Sequence, residues 1–74
     1  MEGQVTWKND IKKDTVLITL KLNNGVNAKV YVVKGFRNEI HWSSFKIGDK
    51  IGGLTWFSEQ QKIIDADSPV HPLN

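Results

Sequence analysis

Two lysines, Lys21 and Lys29, flank an Asn-Gly pair in the stretch LKLNNGVNAK (residues 20–29), and Tyr31 follows two positions later. Ammonium groups and a flat aromatic ring suit single-stranded nucleic acid. Cations track the phosphates, and each base stacked on an aromatic face contributes about 1–3 kcal/mol. Thr19 and Asn27, each two positions ahead of one of these lysines, add hydrogen-bonding capacity. Further cations stand at Lys12 and Lys13, at Lys62 after Gln60 and Gln61, and at Arg37, which could meet a phosphate or pair with Glu39 or Asp49. Trp56 and Phe57 are adjacent, so on a strand one of them faces outward and offers a second stacking surface. Any one of these lysines, taken singly, reads as ordinary solvated charge. Together they act only if one wet sheet face carries them.

Other chemistry is not indicated. His41 and His71 are thirty residues apart with no ligand at metal-binding spacing, and there is no cysteine, so no metal site, disulfide or cofactor is expected. Asp65 and Asp67 alternate along a strand-like stretch without a nucleophile or base nearby, and read as an acidic rim. Gly52-Gly53 lacks the spacing of a phosphate-cradling loop. No catalytic residue is assigned, and an enzyme is not expected.

The chain has 74 residues, ten Lys+Arg against eight Asp+Glu, and a formal charge of +2. A length of this order makes one domain, residues 1–74, with 68–74 as a C-terminal tail. The start MEGQVTWKND is polar, and no apolar run approaches the roughly 20 residues a membrane span needs. No membrane association is expected, and the missing cysteines fit a cytoplasmic location. Lys12, Lys13, Lys21, Lys29, Lys34 and Arg37 fall in the first half of the chain, so a polyanion should prefer that half.

The elements that would position these residues are strands. Residues 15–22 (TVLITLKL) and 26–33 (VNAKVYVV) alternate apolar and polar and are rich in β-branched side chains. A two-residue turn at Asn24-Gly25 would place apolar residues of one strand opposite polar residues of the other. A three-residue loop, Asn23-Asn24-Gly25, instead pairs Leu22 with Val26, Leu20 with Ala28, Ile18 with Val30 and Val16 with Val32. Because a one-residue slip inverts every side chain, the apolar pattern selects the longer loop, with Gly25 left-handed. The opposite face then holds Lys21 beside Asn27, Thr19 beside Lys29 and Leu17 beside Tyr31.

Upstream, residues 4–8 form a first strand with Val5 and Trp7 inward, and 9–14 (NDIKKD) a charged connection anchored at Ile11. Residues 35–45 fit either one or two helical turns, with Phe36 and Ile40 on one side, or a short strand. Trp42, like Trp7, reads as a core or anchoring residue. Gly48-Asp49 turns the corner into a fourth strand, in which Ile51, Leu54 and Trp56 are buried if Gly52-Gly53 forms a bulge. Residues 62–67 form the fifth, and the two prolines of the tail argue against further pairing. Five short strands must curl to bury their apolar face. The fold class is all-β, a five-stranded closed or partly open barrel with a short helix or loop between strands three and four.

The hairpin VLITLKLNNGVNAKVYV, followed by KGFRNE and then FKIGDKI, resembles the OB-fold barrels of bacterial translation initiation factor one and of cold-shock proteins. The likeness spans residues 15–62. It implies a ligand face on strands two and three, flanked by the loops joining strands one to two and four to five. On this chain that face carries Thr19, Lys21, Asn27, Lys29 and Tyr31, with Lys12 and Lys13 on one loop and Gln60, Gln61 and Lys62 on the other. The partner expected is single-stranded DNA or RNA, bound with little sequence readout. A small protein-interaction barrel is the alternative, using Leu17, Val33, Tyr31 and an exposed Trp or Phe to contact another protein or a second copy as a dimer.

Overall fold

A computed structural model describes residues 1–36 and 38–73. Three long strands form an antiparallel meander: β1 (Gly3–Lys12), β2 (Thr15–Leu22) and β3 (Asn27–Val33). The β2–β3 register is the one the apolar pattern selects, with Leu20 opposite Ala28, Ile18 opposite Val30 and Val16 opposite Val32. Leu22 N–H donates to the Val26 carbonyl at 2.8 Å, and Gly25 N–H donates back to Leu22 at 2.8 Å. Gly25 sits at φ 87°, where a Cβ is disfavoured, and Asn24 Oδ1 accepts from Val26 N–H. Burying one Ile or Leu contributes about 1.5–3 kcal/mol against about 0.5–1.5 for a net hydrogen bond. The greasy face therefore dictates the register, and the loop adapts to it.

β1 departs from the expectation in two ways. It runs through Lys12, so residues 9–12 are strand and only Lys13-Asp14 turn the chain; Ile11 is bulged out and exposed rather than an anchor. A second bulge lies at Thr6: Val5 faces Leu20, but Trp7, not Thr6, faces Thr19. The extra residue reverses the alternation beyond it. Val5 is buried as expected, whereas Trp7 points outward and is 59% exposed. Its assignment to the interior is thereby corrected.

After β3, residues 39–43 form a short helix, α1 (Glu39–Ser43), in the segment left open between helix and strand. Phe36 and Ile40 do not supply its buried side; both are exposed. Trp42 does, packed edge-on against Phe45, with its indole N–H donating to the Ala66 carbonyl at 2.9 Å.

Four short strands complete the sheet: β4 (Lys50–Gly52), β5 (Trp56–Ser58), β6 (Ile63–Ile64) and β7 (His71–Pro72). The hydrogen-bonded order is β5-β6-β3-β2-β1-β4-β7, curled into a half-barrel. β6 runs parallel to β3, and all other neighbours are antiparallel. Seven strands replace the expected five for two reasons. The fourth breaks at residues 53–55 into β4 and β5, with Gly53 at φ 79°, and the tail adds β7. Ile51 faces Pro72 and Gly52 faces His71, so the prolines do not prevent pairing. On an edge strand the missing N–H of Pro72 costs no ladder bond, and Leu73 N–H donates to Lys50 instead. The fifth strand is shorter than expected, because residues 65–68 close into a turn where Asp65 Oδ1 accepts from Asp67 N–H.

The core is the inner face of this curl. Val5, Ile18, Leu20, Leu22, Ala28, Val30 and Val32 of the meander meet Trp42, Phe45, Ile51, Leu54 and Ile64. The buried Ser68 hydroxyl ties the 53–55 break to the turn after β6, accepting from Thr55 N–H and donating to the Asp65 carbonyl. No helix among the described residues is long and apolar enough to cross a membrane.

Candidate nucleic-acid interface

Strand pairing arranges the outer face of the meander as rows, because cross-strand partners point to the same side. One row runs Lys50–Gln4–Lys21–Asn27 and the next Trp7–Thr19–Lys29–Ile63. A third holds Asn9–Leu17–Tyr31, and the last Lys12–Thr15–Val33. Four lysines and two aromatic rings thus share one surface, and no carboxylate occupies any of its rows. The one ion pair among the described residues, Lys34 Nζ to Asp10 at 3.4 Å, lies elsewhere. Glu2 and Glu59 stand at the margins, where Glu2 accepts from the Asn23 side chain.

Lys29 and Tyr31 are coupled directly. The Lys29 ammonium sits 5.9 Å from the Tyr31 ring centroid, a cation over a π face, while Tyr31 remains 39% exposed. The β5–β6 loop closes over the same end of the sheet. Lys62 is left-handed at φ 60°, and its carbonyl accepts from Lys29 N–H at 3.0 Å, which pins the loop to β3. Thr19, Asn27, Lys29, Gln61 and Lys62 consequently line one shallow depression of about 220 Å³.

The other expected residues stand away from this cluster, Lys12 at the far end of the same face. Lys12 ends β1 and Lys13 lies in the following turn. Since Lys12 faces Thr15, it stands about 20 Å along β2 from Lys21, at roughly 3.3 Å per residue. Trp56 is half-buried against the core with the Lys62 ammonium 5.7 Å from its ring; the outward member of the pair is Phe57, 73% exposed. Arg37 lies outside the described residues.

Two members of the face escape the sequence reading. Trp7 is hidden by the Thr6 bulge, an extra residue in the β1–β2 ladder that leaves no mark in the local alternation. Lys50 joins the face because β4 pairs with β1 at Gln4, a long-range contact with no local trace. Comparison of the chain with protein-family models, curated proteins and solved structures finds no match.

Proposed function

We propose that this chain is an OB-like, single-stranded nucleic-acid-binding module, not an enzyme, that holds its ligand by backbone electrostatics and aromatic stacking. The OB-like reading rests on connectivity. Taken as one kinked strand, residues 50–58 are antiparallel to β1 at their start and to β6 at their end. β6 is parallel to β3, and α1 lies between β3 and β4. Five strand paths then curl around the core, with β7 as an addition.

One observation carries the function: Lys21, Lys29, Lys50, Trp7 and Tyr31 share rows that contain no carboxylate. Such a face attracts phosphates through counterion release and offers bases two rings, with no hydrogen-bond pattern rigid enough to select a sequence. DNA and RNA fit it equally. The test is a titration of fluorescein-labelled oligo-dT and oligo-U at low and moderate salt, with the unaltered chain and a Lys21→Ala/Lys29→Ala variant. Affinity should fall steeply with salt and weaken in the variant. A flat titration by folded protein would end this reading.

A protein-contact reading is favoured by a different feature: Trp7 and Phe57 are mostly exposed, and Leu17, Ile63 and Val33 extend the apolar area on the same side. Under it, the partner is another protein or a second copy. Sedimentation across a concentration series separates the second copy, since a dimer dissociates on dilution.

A further inference from the structure

The bulge that turns Trp7 outward turns Lys8 and Asp10 inward, opposite Ile18 and Val16. They reach beyond the end of the core and form one wall of a cleft of about 310 Å³ between the inner face of the meander and α1. Its floor is apolar, made by Val16, Ile18, Val32 and Trp42. Small-molecule sites typically begin at about 300 Å³ and combine apolar walls with a few polar groups that fix orientation.

The charges at the mouth are unequally satisfied. Asp10 is paired with Lys34 at 3.4 Å, and the Glu39 carboxylate accepts from Gly35 N–H at 2.9 Å. Lys8 is half-buried, and no carboxylate among the described residues lies within ion-pair distance of it. Its ammonium donates to the Phe45 carbonyl at 2.9 Å, a neutral acceptor that occupies one of three N–H donors. A cation held partly out of water without a counter-ion is costly, and an anion placed beside it offsets that cost.

We propose that this cleft binds a small carboxylate on a short apolar stem, with the carboxylate on Lys8 Nζ and the stem over Val16, Val32 and the Trp42 ring. The site faces the opposite side of the sheet from the lysine–aromatic rows and does not depend on them. Both parts of the ligand are required. The carboxylate supplies the charge that Lys8 lacks, and the stem covers the apolar floor.

The test is an amide and indole NMR titration of the unaltered chain with hexanoate, hexanol and acetate. Hexanoate should give saturable shifts centred on Trp42, Ser43 and Val16. Hexanol, lacking the charge, should bind at least about tenfold more weakly, the scale of a hydrogen bond to a charged group. Acetate, lacking the stem, should also lose at least about tenfold, at about 0.8 kcal/mol per buried methylene. Lys8→Gln should weaken hexanoate by a similar factor, and Lys8→Arg should restore it. Lys21→Ala/Lys29→Ala should leave it unchanged. No saturable shift at the cleft would overturn the proposal, as would hexanol or acetate binding as well as hexanoate. That ligand series decides the matter even if the Lys8 variants do not fold.

Discussion

The two faces of the β1–β3 meander obey the same alternation but answer to different forces. The core of the inner face is made of residues that water rejects, from Val5 through Ile18, Leu20 and Val30, and it fixes the register of the β2–β3 hairpin. The outer face is free of that constraint. Lysines, amides and two aromatic rings occupy it, and nothing in the packing requires them to be there. The difference teaches where to look for function in so small a barrel: stability is accounted for on one side, so unexplained cations and exposed rings on the other ask for a partner. One extra residue, Thr6, sorts both sides at once. It sends Trp7 out to the lysines and Lys8 in to the cleft.

Substitutions should therefore divide cleanly by face. The largest effect is expected inside. Leu20→Ala removes a fully buried side chain and should cost about 2–5 kcal/mol in chemical denaturation. Leu20→Ala protein that remains folded should bind oligo-dT as the unaltered chain does. Next comes Trp7→Ala on the outer face, which should weaken oligonucleotide binding by about 1–3 kcal/mol. Its stability should move by no more than about 0.5 kcal/mol, as for other exposed sites. Lys21→Ala/Lys29→Ala should likewise preserve stability while lowering the slope of log affinity against log salt by about 1.4, near 0.7 per phosphate contact on a single strand. Gly25→Ala tests the loop that joins β2 to β3. At φ 87° with open space around it, the added methyl should cost about 1 kcal/mol through backbone strain alone, read from the thermal midpoint. The smallest effect is expected from deleting Thr6. The ladder then becomes regular with Trp7 still opposite Thr19, so oligo-dT affinity should stay within about twofold of the unaltered chain, since the cations and rings it draws on remain in place. A loss of Trp7 exposure to acrylamide on deletion would refute the role given to the bulge.

How much of this could be read from the chain depends on the range of the forces involved. The β2–β3 hairpin was legible down to its pairing, because the apolar alternation of Val16–Leu22 against Val26–Val32 admits one register. The grouping of Thr19, Lys21, Asn27, Lys29 and Tyr31 follows from that parity. What escaped was set by contacts distant in sequence. Trp7 reverses face at the Thr6 bulge, immediately after the residues of β1 that pair with 48–51. The fourth strand expected through Ile51, Leu54 and Trp56 breaks where the tail packs on it. An added Cβ at Gly53 would overlap the Pro69 carbonyl oxygen, and one at Gly52 would meet the His71 ring at 2.8 Å. Phe36 and Ile40 have helical spacing, yet Trp42 takes the buried position, where its indole N–H donates to the Ala66 carbonyl. Local period reveals faces; closure is decided elsewhere.

The most direct test of the account is an amide chemical-shift map of the unaltered, folded chain titrated with oligo-dT at low salt. Shifts confined to the outer rows, strongest at Thr19, Lys21, Lys29, Tyr31 and the Trp7 indole and absent from the Lys8–Trp42 cleft, are the expected result. Shifts centred on the cleft or on α1, with the outer rows unmoved, would contradict it.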